Sequence, residues 1–218
     1  VDHFDVYAWD VVNETFTEGG SFRNAQNTNG ESDFVWGTYY ESTKAWVDKA
    51  FAYATDALAR NGKTAGLYIN DYNLETSEAK RKAFCEYAKG NPQVLGVGTQ
   101  MHLDMATDDL ENKIVASLTD LVATGKMVRI SELDIKCTDL DAQAALYKFI
   151  FEKYLEIVPA AQRGGITIWG INDKDSWVGE ENAPLLYSGN KFTRKPAYEA
   201  LYVYLCELNG VNPYQEEE

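Results

Sequence analysis

Across 218 positions there are only three cysteines, two histidines and twenty basic residues, so the residue types that build disulfide scaffolds, metal centres and nucleic-acid surfaces are all scarce. Cys85, Cys137 and Cys206 lie too far apart for a disulfide framework or a thiolate metal site, and each is expected as a buried thiol. Against the 20 Lys and Arg stand 34 Asp and Glu, and the net charge of −14 repels phosphate backbones and anionic membrane surfaces. Nucleic acid and lipid are therefore not expected as partners. No apolar run approaches the roughly 20 residues of a membrane span, so no membrane insertion is expected. The amino terminus lacks a basic region followed by an apolar stretch, but the sequence also starts without Met, and its missing signal says little. With two histidines and no His-Glu-x-x-His there is no ligand set for a zinc hydrolase, and no Gly-x-Ser-x-Gly turn marks a Ser-His-Asp hydrolase. Gly96-Val97-Gly98 lacks the third glycine of a nucleotide fingerprint and runs into Gln100-Met101-His102 instead of a helix start. No metal and no cofactor is expected.

What is present is a core-forming alternation of short apolar runs and longer helical patterns. At 45% hydrophobic residues the chain can bury a real core as one domain, with disorder expected only at Gln215–Glu218. Val6–Val12, Thr64–Ile69, Val94–Thr99, Met127–Ile130 and Gly165–Trp169 are too continuously apolar to be half-exposed, and they read as parallel strands. Between them, Val47, Ala50, Ala54 and Leu58 share a helical face, as do Leu110, Ile114, Leu118 and Leu121, and Leu146, Ile150, Tyr154 and Ile157. Asp108 stands before Glu111 in a cap-like spacing, Gly62, Gly90 and Gly125 follow the first three helical patterns, and a last helix is expected over about Pro196–Leu208. Repeated strand-then-helix units imply parallel pairing with right-handed crossovers, which leaves a doubly wound sheet or a (β/α)8 barrel. Polar residues gather at the carboxyl ends of the strands, where barrels carry their chemistry, and bias the choice toward a barrel. Gly19–Gly30, rich in Asn, Gly and Ser, reads as a long loop.

Two strand tips carry a glutamate: Trp9-Asp10-Val11-Val12-Asn13-Glu14 and Arg129-Ile130-Ser131-Glu132-Leu133-Asp134. Paired carboxylates at strand ends suit glycoside hydrolysis, in which one protonates the leaving oxygen and the other attacks the sugar carbon. Asp134, two residues beyond Glu132 on an extended strand, projects to the same side, and the same period of two places Gln100 and His102 together. Trp169 and Trp177 bracket a stretch too polar for a packed helix or strand, and a flat indole suits the apolar face of a sugar ring.

With Gln100-Met101-His102-Leu103 and the segment Trp169–Trp177, these strand tips closely resemble glycoside hydrolase family 10, the retaining β-1,4-xylanases, over about Phe4–Leu208. The resemblance implies an α/β fold, the (β/α)8 TIM barrel, of which residues 1–211 form the C-terminal portion with about five of the eight units, followed by an acidic tail at 212–218. It implies Glu14 as general acid/base with a raised pKa, Glu132 as nucleophile, and Asn13 on the sugar 2-hydroxyl. Gln100 and His102 would contact the nucleophile and its sugar, with Asp134 as a supporting carboxylate. Trp169 and Trp177 would wall the cleaved side and Tyr72 the leaving-group side, whereas His3 reads as a structural residue. Xylan or xylo-oligosaccharides are the implied ligands of a secreted, periplasmic or cell-surface protein. A retaining β-glucanase on the same barrel and a catalytically inactive sugar-binding barrel are the competing readings. Retention of both glutamates argues against the second. Three units of the family barrel have no counterpart here, so the missing N-terminal segment, or self-association, is expected to cover the exposed strands.

Overall fold

The computed structural model describes residues 3–24, 36, 39–40 and 44–214. The expected loop Gly19–Gly30 falls only partly within them, and 215–218 of the expected tail fall outside.

Five strands form a parallel wall: β1 (Ala8–Asn13), β2 (Gly66–Asp71), β3 (Gly96–Thr99), β5 (Met127–Lys136) and β6 (Arg163–Ile168), paired in that order. A short strand β4 (His102–Asp104) pairs with the far half of β5. The crossovers are helices α1 (Ala45–Arg60), α2 (Glu78–Gly90), α3 (Leu110–Val122) and α4 (Leu140–Ile157); the two-stranded hairpin β7 (Tyr187–Ser188) and β8 (Thr193–Arg194) precedes α5 (Pro196–Leu208). Ile69, Val97, Val128 and Ile130 from the wall join Phe51, Phe84, Ile114, Leu118, Leu121 and Ile150 from the helices in one buried cluster. At about 1.5–3 kcal/mol for each buried aliphatic or aromatic side chain, this cluster is what holds the helices to the strands. The apolar faces expected from the sequence are the faces that pack, and α5 covers the expected residues.

The opposite face of the wall is crowded and polar. Tyr68 and Asn70 project from β2 across Gly96 and Gly98 of β3; a Cβ at Gly96 would lie 2.2 Å from the Tyr68 ring, and one at Gly98 only 2.4 Å from Asn70 Oδ1. The Gly-Val-Gly run therefore makes room for large neighbours inside the barrel. Beneath it, the Arg129 guanidinium sits 4.8 Å from the Tyr68 ring centre and pairs with Asp10 of β1.

Several expectations are corrected. Strand β5 runs past the apolar run Met127–Ile130 and the tip at Asp134 to Lys136, because its upper half gains a second partner in β4. Strands β1 and β2 reach Asn13 and Asp71, β3 starts only at Gly96, and β6 starts earlier at Arg163 and stops before Trp169. Gln100 and His102 do not share one strand: Met101 between them is buried in a left-handed backbone at φ 57°, which ends β3 and redirects the chain. Helix α3 is preceded by Asp109, at φ 55° and with no side-chain cap, so Asp108 is not the cap residue. Gly90 is the last residue of α2 and not the residue after it, whereas Gly62 (φ 60°) and Gly125 (φ 75°) do sit in the left-handed conformation that ends a helix. Cys85 and Cys137 are buried, but Cys206 is only half-buried on α5.

Among the described residues, β1 pairs only with β2 and β6 only with β5, so the wall has two open edges. Beside β1 lies an apolar groove of about 280 Å³ between Val11 and helix α1, where Trp36 and Tyr53 are 61% exposed. Helix α5, packed on α4, exposes Tyr202, Leu205 and Leu208.

Candidate active site

A cleft of about 630 Å³ opens over the carboxyl ends of β1, β2, β3 and β5. Eight of the nine residues singled out by sequence line it: Asn13, Glu14, Tyr72, Gln100, His102, Glu132, Trp169 and Trp177. The ninth, Asp134, is buried directly behind His102. His3 is exposed and plays no part in the lining.

Glu14 follows β1 immediately, in a left-handed backbone at φ 56°. That conformation disfavours a residue with a side chain by roughly 1–2 kcal/mol, and it turns the carboxyl out of the strand and over the cleft. Its backbone N–H is tied to the Asn70 carbonyl at 2.9 Å. Its Oε1 accepts from Asn13 Nδ2 and Gln100 Nε2, both at 3.2 Å.

Glu132 stands on β5, with both carboxyl oxygens engaged. Oε1 accepts from Asn70 Nδ2 at 2.8 Å, and Oε2 faces His102 Nε2 at 3.3 Å. His102 Nδ1 lies 2.9 Å from Asp134 Oδ2, which also accepts from Trp177 Nε1 at 2.8 Å. Burial works against a charged imidazole, but the hydrogen bonds to Asp134 and Glu132 outweigh it and carry His102 up to about 9. The ring is thus an imidazolium at neutral pH, donating from both nitrogens. Trp177 and Trp169 meet it edge-on at 5.0 and 6.4 Å between ring centres, and both indoles stay open to the cleft, at 67% and 47% exposure.

The two strands between the glutamates hold them in a crossed arrangement. Asn70 gives its carbonyl to the Glu14 N–H and its side-chain amide to the Glu132 carboxyl. Gln100 does the reverse, with its carbonyl accepting from the Glu132 N–H at 3.1 Å and its side-chain amide donating to Glu14. Asn13 Oδ1 closes the set, accepting from Asn70 Nδ2 at 2.8 Å and Gln100 Nε2 at 3.1 Å.

On the Glu14 side, the Tyr72 hydroxyl is bound by Arg23, and Lys80 Nζ lies 3.4 Å from the ring centre. Lys80 and Asp71, both fully buried, pair at 2.8 Å, and Asp71 also takes the backbone N–H groups of Phe16 and Tyr72 at 2.9 and 3.0 Å. This buried pair ties the loop after Glu14 to α2 and fixes the Tyr72 ring. Sequence reasoning counted Asn70 among the polar strand ends but gave it no role in the site, and it missed Arg23, Asn73 and Lys80. Asn70 carried a signal, since a polar residue inside an otherwise apolar buried strand needs partners; Arg23 and Asn73 sit in loops without periodicity and carried none.

Fold and cleft together set two carboxylates over the carboxyl end of a parallel β/α-barrel wall. Residues 1–204 match glycosyl hydrolase family 10, and the chain belongs to that family. It is similar to the bifunctional endo-1,4-β-xylanase XylA of Ruminococcus flavefaciens, with 38% identity over 90% of this chain and 19% of the relative. Among solved structures it is similar to the catalytic core of a xylanase A, with TM-score 0.73 and 31% identity over 90% of this chain and 64% of that one. It also resembles the Clostridium thermocellum endo-1,4-β-D-xylanase 10B modules complexed with xylohexaose, with TM-score 0.77 and 29% identity over 90% of this chain and 40% of that one. The chain therefore spans less than two thirds of each of these relatives, and its wall is part of the family barrel.

Proposed function

We propose that the protein containing this chain is a retaining endo-1,4-β-xylanase. The observation that carries this reading is the unequal setting of the two glutamates. Glu132 has both oxygens engaged by N–H donors, Asn70 Nδ2 on one and His102 Nε2 on the other, which aims the carboxylate. Glu14 meets only neutral amides and faces the cleft, as suits a group that gives up and takes back a proton.

In the first step a Glu132 oxygen attacks the anomeric carbon, the glycosidic C–O bond breaks, and the Glu14 proton passes to the leaving sugar oxygen. In the second, Glu14 takes a proton from water, the water oxygen attacks the same carbon, and the bond to Glu132 breaks. Asn13 and Gln100 bind the sugar bonded to Glu132, Trp169 and Trp177 stack against it, and Tyr72 receives the departing side. The xylanase relatives, one of them complexed with xylohexaose, support xylan as the substrate.

Anomer composition followed by NMR in the first minutes of xylan hydrolysis tests the mechanism. Retention gives the β-anomer first, with the two carboxyl groups about 5–5.5 Å apart; initial α-anomer overturns the mechanism. Preference for β-glucan over xylan in a substrate panel overturns the substrate assignment alone.

A further inference from the structure

Asn70 touches both glutamates yet does not line the cleft, being 1% exposed. Its amide lies between two acceptors and one donor. Nδ2 reaches Asn13 Oδ1 and Glu132 Oε1, each at 2.8 Å, while Oδ1 accepts from Ser131 Oγ at 2.6 Å. A reversed amide would set Oδ1 against two other oxygens with no proton among them, so the acceptors fix its direction. In that direction Oδ1 points into a buried corner where Ser131, itself buried, is its hydrogen-bond donor. A buried carbonyl left without a donor is unfavourable, and the side chain relieves it by turning away. The space for the amide exists because position 98 has no Cβ.

We infer that Asn70 and Ser131 are positioning residues for the reaction: Ser131 holds the Asn70 amide, and that amide keeps Glu132 aimed and at a set distance from Asn13. The inference rests on the roles proposed above for Glu132 and Asn13. Neither residue touches substrate, so removing the Ser131 hydroxyl slows turnover and leaves substrate affinity in place.

The test uses the full-length protein. Ser131→Ala is expected to lower kcat on xylan about tenfold with KM within about twofold of wild type, and Ser131→Thr to restore most of the loss. Asn70→Asp places a second carboxylate beside Glu132, and it is expected to lower kcat by about 10²–10³ and move the acid limb of the kcat/KM profile to higher pH. A second readout needs neither turnover nor a folded variant. In protein labelled with ¹⁵N-asparagine, the Asn70 side-chain NH2 of the wild type should exchange with solvent much more slowly than that of exposed Asn212. Wild-type kcat in Ser131→Ala, or Asn70 exchange as fast as that of Asn212, overturns the inference. A wild type that leaves xylan intact sinks the proposed function instead, and the exchange measurement still decides whether Asn70 is held.

Discussion

Glu14 and Glu132 are the same residue at the upper ends of parallel strands, but they stand on unequal supports. Glu14 stands just beyond the last residue of β1, on a left-handed turn that leaves the strand. Glu132 lies inside β5, which pairs with β3, β6 and β4. A nucleophile benefits from a rigid strand and a committed set of donors, because misaiming by a fraction of an ångström raises the barrier steeply. A proton carrier needs access and some freedom instead. The wall meets both needs by placing one glutamate inside a strand and the other on the turn that leaves one, while Asn70 and Gln100 stop the two from drifting apart.

The largest effect is expected where the support is strongest. In the full-length protein, Glu132→Ala should lower xylan hydrolysis by at least about 10⁴, measured as kcat/KM, because no neighbour can take over the attack. Loss of less than about tenfold would mean that Asp134 or another group is the nucleophile. On the turn after β1, Glu14→Ala should slow natural xylan by about 10²–10⁴. An aryl xyloside with a good leaving group should suffer far less, and azide should restore turnover by capturing the intermediate. Equal losses on both substrates without azide rescue would reverse the assignment of the pair.

A third comparison is between the paired middle of the wall and its open edges. Among the described residues β1 and β6 each pair on one side, and those outer sides, with the apolar groove beside α1, invite another strand. Residues 1–218 alone are expected to hydrolyse xylan poorly and to self-associate by light scattering, and a polypeptide carrying the remaining β/α units should raise the rate at least about tenfold. A monomeric chain whose rate does not change on that addition would show that the edges are self-sufficient.

The smallest effect sharpens the Glu132 side. Since the folded-state pKa of His102 is about 9 against an ordinary 6.5, its charge contributes stability that is fully present below about pH 6.5 and is lost as pH rises through about 9. The contribution has an upper bound of about 3 kcal/mol. Thermal melts should therefore show wild type more stable than His102→Gln at pH 6, with the gap closing by pH 10. A gap that does not change with pH would mean that the imidazole is held neutral.

How much of this was legible beforehand follows from which interactions are local. Helix faces, the parallel strands and the polar strand tips repeat at periods that burial imposes, and they could be read directly. The turn at Met101, the extension of β5 and the capless start of α3 depend on what packs alongside, and these were misread or missed. Within the site, the residues that line the cleft were found except Arg23 and Asn73, which sit in loops, while Lys80 was missed because its partner Asp71 lies on a different element. The meaning of Gly96 and Gly98 changed most: an incomplete nucleotide motif in the sequence is, in three dimensions, the space that Tyr68 and Asn70 fill.

The sequence by itself determined that this chain alternates strands and helices, that its wall is parallel, and that two glutamates end two of its strands, because side-chain chemistry and period act within a few residues. Only the tertiary structure decided that one glutamate sits inside a strand and the other on a left-handed turn, that Asn70 and Gln100 cross between them, and that His102 lies between two carboxylates. Those facts depend on distances of about 3 Å between residues 30 or more positions apart, and no local pattern encodes such a separation.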